Sequence, residues 1–184
     1  VYDEMTELMK DQMSKLKVGD PTSEDTDVGP IARADLREEL HRQIKSTIEH
    51  GGTCLLGGEM PEGDGFFYPV TLLAGVKPGM AAFTEETFGP VGVMIRASDE
   101  AHAMSMANDT EYGLAASIWT EAGRGEALAS QLDTGQVSVN GIVKTDPRLP
   151  SGGTKSSGLG RELGPHGIKE FVNAQQVWVG PAKS

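Results

Sequence analysis

The stretch Glu85-Glu86-Thr87-Phe88-Gly89-Pro90, with the apolar run Val91 to Ile95 that follows it, carries most of the information about the fold. Pro90 restricts the backbone of Gly89 to an extended conformation, so the chain enters the apolar run as a strand. Ser98-Asp99 then offer side chains that can cap free helix amides, and they predict a helix to about Asn108. A turn, a strand and a capped helix in this order are typical of an α/β protein.

The alternation of helices and strands extends over the whole chain. Apolar residues at helical spacing predict helices over residues 3–16, 36–48 and 121–131, and residues 160–171 are a further helix candidate. Short apolar runs predict strands at Thr53 to Leu56, Phe66 to Val70, Leu114 to Trp119, Gln136 to Val139 and Gln175 to Val179. We therefore predict the α/β fold class, with a largely parallel sheet and flanking helices.

Composition and charge restrict the class of function. The chain has 184 residues, 38% of them hydrophobic, which is enough for a domain with a sizeable core. Its formal net charge of −11 opposes binding to nucleic acid and to anionic membranes. No apolar run is long enough to span a membrane. A single cysteine and the absence of a signal segment predict a cytoplasmic protein, and Val1 in place of Met hints at a piece of a longer chain.

Cys54 is the only thiol and therefore the first candidate nucleophile. It lies in an apolar strand between turns, where burial would raise its pKa and leave little thiolate. We therefore assign Cys54 to packing and not to catalysis. The four histidines show no metal-ligand spacing with cysteines or carboxylates, so we predict no metal site.

Glu86 and Phe88 are the strongest candidates for ligand binding. Residues two apart in an extended chain face the same side, so the two side chains can project together. A carboxylate suits the two hydroxyls of a ribose, and an aromatic ring beside it can fix a flat nicotinamide. An acidic turn with Phe88 in the core is the alternative, and these six residues alone leave both interpretations open.

The glycine-rich block from Ser151 to Leu163 fits neither common phosphate-binding motif. Thr154 precedes Lys155 where a Walker loop needs glycine, and the spacing of Gly158, Gly160 and Gly164 is one residue too long for the dinucleotide fingerprint. What remains is a tight backbone corner that leads into a helix. Arg161, within this corner, can donate hydrogen bonds to a carboxylate or a carbonyl.

Taken in order, the segments match one family. They are Tyr2-Asp3-Glu4, Lys17 to Pro21, Gly29-Pro30, Gly57-Gly58, Glu85 to Pro90, Asn108 with Glu111 to Leu114, Val139-Asn140 and Gly152 to Gly164. This succession resembles the aldehyde dehydrogenase superfamily over essentially the whole chain. The closing portion, from Asp146 through Leu163, looks most like succinate-semialdehyde dehydrogenases.

The resemblance implies a reaction and its residues. A cysteine thiolate attacks the aldehyde, NAD or NADP accepts a hydride, and a glutamate-activated water hydrolyses the thioester to a carboxylic acid. The nucleophile, the base and most of the cofactor domain then lie upstream of Val1, so this chain alone is expected to be inactive. Glu86 matches the ribose-binding carboxylate and Phe88 the nicotinamide-side aromatic. Thr145 falls near the substrate carboxylate, and Ser151 stands where the family often has Phe, which favours a polar or carboxylated aldehyde.

The resemblance also divides the chain. Residues 1–172 correspond to the C-terminal part of a catalytic domain, and residues 173–184 to an oligomerisation strand and tail. Because an unpaired strand edge is a liability, we expect a homodimer or homotetramer, with a small aldehyde as the other partner. Two alternatives stay open: a dehydrogenase for betaine or aliphatic aldehydes, and a non-catalytic α/β module that self-associates.

Overall fold

The structure is a computed structural model that describes residues 1–181, except for the side chain of Ala122. The chain divides into two units, Val1–Ser98 and Asp99–Ser184. The first unit contains α1 (Tyr2–Met13), α2 (Ala34–Glu49), β1 (Thr53–Leu56), β2 (Thr71–Ala74), α3 (Ala81–Thr84) and β3 (Val91–Met94). The second unit contains α4 (Glu100–Asn108), β4 (Tyr112–Gly113), β5 (Ala115–Ile118), α5 (Ala122–Ala129), β6 (Gln136–Val139), β7 (Thr154–Lys155) and α6 (Gly164–Glu170).

The first unit is built on a three-stranded sheet in the order β1-β2-β3. The central strand β2 is buried along its whole length, so it has no side that faces water and carries no charged residue. From α2, Leu40 and Ile44 enter the core, and both are almost fully buried. Their spacing of four residues is the one that predicted this helix, and the prediction of α2 is confirmed.

The second unit contains two separate two-stranded sheets. Strand β4 pairs with β7 in antiparallel orientation, and β5 pairs with β6 in parallel orientation from Ala115↔Gln136 to Ile118↔Val139. Helix α4 begins where the capping pattern predicted, because the Asp99 carboxylate accepts a hydrogen bond of 2.8 Å from the His102 amide.

The α/β class is confirmed, but the prediction of a largely parallel sheet is wrong. The described strands fall into three sheets, and two of their four pairings are antiparallel. Connectivity explains the difference, because parallel neighbours need a crossover and antiparallel neighbours do not. A loop without a helix joins β1 to β2, whereas α3 lies between the parallel strands β2 and β3.

Two predicted strands are absent from the described residues. Residues 66–70 form no strand, since Pro69 has no amide for a ladder, and pairing begins at Thr71. Residues 173–181 form neither helix nor strand, and the rest of the predicted tail, 182–184, lies outside the described residues. The apolar pattern of 175–179 cannot make a strand without a partner edge, and no segment of residues 1–181 supplies one.

The structure also bears on membrane insertion. Among residues 1–181, every helix is too short or too polar to cross a bilayer.

Candidate functional site

The segment Glu86–Phe88 lies between α3 and β3, at the surface of the first unit. Glu86 is exposed, Thr87 is half-buried, and Phe88 is 67% exposed. Both candidate side chains are therefore open to solvent. The alternative interpretation, in which Phe88 fills the core, is wrong because most of its ring faces solvent.

The backbone of this segment is turned rather than fully extended. Phe88 donates its amide to the Glu86 carbonyl at 3.1 Å, Gly89 donates to the Thr87 carbonyl at 2.9 Å, and Val91 donates to the Gly89 carbonyl at 2.8 Å. Successive bonds between residues two apart define three-residue turns. These turns fix the conformation of the segment up to the point where the chain joins the sheet at β3.

The charges around the segment leave one carboxylate unpaired. Glu85 accepts hydrogen bonds from Arg42 and from Gln43, and Arg42 also forms an ion pair with Glu39. The hydrogen bonds that Arg42 donates to Glu39 and Glu85 raise the pKa of Arg42, and Arg42 in turn lowers the pKa of Glu39. Within residues 1–181, the Glu86 side chain has no hydrogen bond or ion pair, so its oxygens can accept hydrogen bonds from a ligand.

The glycine-rich corner lies in the second unit and is fixed by two cations. Arg161 donates from Nη1 to the carbonyls of Gly153 and Gly160, at 2.7 and 2.6 Å. Lys155 donates from Nζ to the carbonyls of Asn108 and Thr110 and lies 3.3 Å from an Asp133 oxygen. Arg161 was expected to bind a carboxylate or a carbonyl, and the structure shows backbone carbonyls. Arg161 and Lys155 together hold the corner in place.

Two cavities meet at Ser151. One of about 900 Å³ is lined by the glycine-rich corner and α6, and one of about 330 Å³ is lined by apolar and polar residues, among them Lys144 and Asp146. Ser151 is half-buried and donates from Oγ to Gln136 Oε1 at 3.3 Å. Thr145 is exposed and lines neither cavity, although its two neighbours line the smaller one. The structure therefore places Ser151 at a cavity and Thr145 beside one.

Cys54 is partly buried in β1. Burial raises the pKa of its thiol, which lies 3.2 Å from the Leu56 carbonyl. Its Sγ also packs so closely against Gly58 that a Cβ there would lie 2.6 Å away. This environment suppresses the thiolate that a nucleophile needs. Across residues 1–181, no three His, Cys, Asp or Glu side chains are arranged to hold a metal ion.

Residues 1–177 match the model of the aldehyde dehydrogenase family. A succinate semialdehyde dehydrogenase of Escherichia coli strain K12, named for NAD(P)+, is 48% identical over 164 residues, which are 89% of this chain and 36% of that protein.

Solved structures agree with this match. An aldehyde dehydrogenase of Mycobacterium tuberculosis complexed with NAD+ superposes with a TM-score of 0.92 at 35% identity, covering 100% of this chain and 38% of that one. A succinic semialdehyde dehydrogenase of Streptococcus pyogenes in complex with NADP+ gives a TM-score of 0.92 at 34% identity, covering 98% and 40%. The chain thus spans two fifths or less of the length of these relatives.

Proposed function

The chain belongs to the aldehyde dehydrogenase family, and we propose that it forms the C-terminal part of an enzyme that oxidises succinate semialdehyde, or a similar small aldehyde, to its carboxylic acid. The observation that carries the proposal is the exposed pair at Glu86 and Phe88, with its unpaired carboxylate. The nucleophilic cysteine and the base are proposed to lie in sequence outside this chain. This chain alone is then inactive.

Glu86 and Phe88 have the chemistry that a nicotinamide riboside requires. The Glu86 carboxylate can accept one hydrogen bond from each ribose hydroxyl, and the Phe88 ring offers an apolar face for the nicotinamide. When bound, NAD+ or NADP+ supplies the hydride acceptor. The role of this chain is to hold the riboside so that the reacting carbon stays in place, which lowers the entropic part of the barrier.

Ser151 and Thr145 are proposed to set the aldehyde specificity. Ser151 presents a hydroxyl at a position where a larger aromatic side chain would narrow the site. Lys144 adds a cation to the lining of the same small cavity, and the Asp146 carboxylate in that lining is already paired with Arg148. Thr145 adds a second hydroxyl beside the cavity. These groups suit the carboxylate end of succinate semialdehyde better than a hydrocarbon tail.

The tail is proposed to mediate assembly. Val177, Trp178 and Val179 are 75%, 77% and 85% exposed, which leaves a row of large apolar side chains in water. Pairing with the sheet of a second copy would cover them and supply the ladder that the single chain lacks. We therefore propose a homodimer or homotetramer, with residues 1–172 in the catalytic domain and 173–184 as the oligomerisation segment. A cytoplasmic location is part of the same proposal.

An aldehyde panel tests this function. The intact enzyme that contains this sequence is assayed with succinate semialdehyde, betaine aldehyde and hexanal, each with NAD+ and with NADP+. We expect kcat/KM for succinate semialdehyde to exceed that for hexanal by at least about tenfold, since polar groups that line a site disfavour a substrate that leaves them unpaired. A preference for betaine aldehyde or hexanal would overturn the substrate, and no oxidation with either cofactor would overturn the enzyme.

A further inference from the structure

We infer that Gln43 is a positioning residue for the segment Glu86–Phe88, and that its side-chain amide fixes the place of the carboxylate that receives the ribose. The inference rests on the proposed function, because Glu86 is the group that is positioned. Gln43 lies in the middle of α2, and only 5% of the residue is exposed. A helix face that packs on a core is normally apolar, so a buried amide there requires specific hydrogen-bond partners.

The side-chain partners of Gln43 are Glu86, the first residue of the segment, and Glu85, the residue that precedes it. Its Nε2 donates to the Glu86 carbonyl at 3.2 Å and to Glu85 Oε2 at 3.0 Å. A side-chain amide carries two hydrogens on this nitrogen, so each acceptor can receive one of them. The bond to the Glu85 carboxylate is charge-assisted and therefore the stronger of the two. Gln43 thus ties the backbone of Glu86 to a buried helix face.

Two further residues on the same face of α2 hold the chain on either side of Glu86. Thr47 Oγ1 accepts a hydrogen bond of 3.0 Å from the Ala82 amide in α3. Leu40 packs so closely on Gly89 that a Cβ there would lie 2.4 Å from its Cδ2. Residues 40, 43 and 47 share one helix face. Among these three residues of α2, Gln43 is the one with a described hydrogen bond to Glu86 itself, which makes its amide the specific element of this attachment.

Loss of the amide should act on cofactor placement more than on folding. The Glu86 carbonyl would lose its side-chain donor, and the carboxylate would no longer be held ready for the ribose. One hydrogen bond of this kind contributes about 1 kcal/mol net, which corresponds to a threefold to tenfold change in binding. The KM for the aldehyde should stay the same, because Gln43 contacts no residue proposed to line the aldehyde site.

The test uses the intact enzyme, three single variants and one double variant. Gln43→Met keeps the volume and removes both donors, Glu86→Gln is the reference for the ribose contact, and Leu128→Ala is a control that opens a cavity in α5. Dissociation constants for NAD+ and NADP+ are measured by fluorescence titration, together with kcat, both KM values and the thermal midpoint.

We expect Gln43→Met to weaken cofactor binding about threefold to tenfold. Adding it to Glu86→Gln should give no further loss, because both changes act on one contact. Leu128→Ala should lower the thermal midpoint and leave cofactor binding unchanged.

Normal cofactor binding by Gln43→Met, with weakened binding by Glu86→Gln, would overturn the inference and leave the proposed function intact. Normal binding and turnover by Glu86→Gln would overturn the proposed role of Glu86 itself. If Gln43→Met does not fold, Glu85→Ala removes the charged acceptor of the same amide from an exposed position. That variant should weaken cofactor binding by a smaller factor, and unchanged binding would overturn the inference.

Discussion

Among single residues, Tyr68 makes the stability of the first unit depend on pH. It is 1% exposed, its hydroxyl donates to the Gly58 carbonyl at 3.2 Å, and it lies 2.8 Å from His41 Nδ1. Burial raises its pKa to about 12, with the charges of Cys54 and Glu59 as smaller causes. The phenol therefore keeps its proton in the folded chain at a pH where the unfolded chain has lost it.

This difference predicts a loss of stability at high pH. An unfolded tyrosine has a pKa of about 10, so the contribution of Tyr68 is fully present below pH 10 and falls as the pH rises to about 12. One pH unit corresponds to about 1.4 kcal/mol, so the total fall is ~3 kcal/mol. Urea denaturation of wild type and Tyr68→Phe across this range isolates the effect. A constant difference between the two proteins would contradict it.

Ser151 carries the prediction for specificity. Ser151→Phe fills space at the junction of the two cavities and removes the hydroxyl that bonds to Gln136. We expect kcat/KM for succinate semialdehyde to fall about tenfold or more, while that for hexanal falls less or rises, because an apolar wall disfavours a carboxylate. Rates for the two aldehydes, taken as a ratio, are the measurement. An equal fall in kcat/KM for both aldehydes would show that Ser151 does not set the aldehyde specificity.

Some of the site residues could be identified from the sequence, and others could not. The types and spacing of Glu86 and Phe88 identified both as candidates for ligand binding, but they left open whether Phe88 is exposed or in the core, because that depends on which other elements pack against it; in the structure it is exposed. Gln43 was not predicted, since its role depends on a contact 43 residues away along the chain. A polar residue between the apolar residues Leu40 and Ile44 was the only signal, and that signal does not name its partner.

At the scale of elements, close approach of backbones controls how the glycine-rich corner packs. A Cβ on Gly135, just before β6, would lie 1.8 Å from the Gly152 carbonyl oxygen. Gly123 in α5 offers the opposite case, because nothing lies within 4 Å of the position that its Cβ would take. The two glycines thus form a matched pair for the same substitution.

Gly135→Ala should destabilise the protein by about 1–3 kcal/mol or more, because backbone atoms must move. Gly123→Ala should stabilise it by up to ~1 kcal/mol, since alanine is the better helix former. Free energies of unfolding, measured by urea denaturation for both variants, test this difference in stability. Equal values for the two variants would show that the corner does not pack as described.

Helices were easier to predict than strand pairing, for a physical reason. The apolar spacing of α2 and the cap of α4 are local properties, and both helices formed where expected. Pairing depends on how connections return the chain, so the antiparallel β1–β2 and β4–β7 pairs were missed. The ladder of β4 and β7 has only two residues in each strand, which is too short for any periodic pattern.

At the scale of the whole molecule, the exposed tail predicts assembly. Deleting residues 173–184 from the intact enzyme removes the exposed Val177, Trp178 and Val179. We expect the deleted protein to sediment as a smaller species than wild type in analytical ultracentrifugation, because the paired strand is lost. An unchanged sedimentation coefficient, after correction for mass, would place the subunit interface elsewhere.

The proposed function depends above all on the Glu86 carboxylate, which we propose receives the nicotinamide ribose of NAD+ or NADP+. A crystal structure of the intact enzyme with bound cofactor measures this directly. We expect a Glu86 carboxylate oxygen about 2.5–3.0 Å from a ribose hydroxyl, with the Phe88 ring against the nicotinamide. A bound cofactor whose ribose hydroxyls are held by other groups, with Glu86 pointing into solvent, would contradict it.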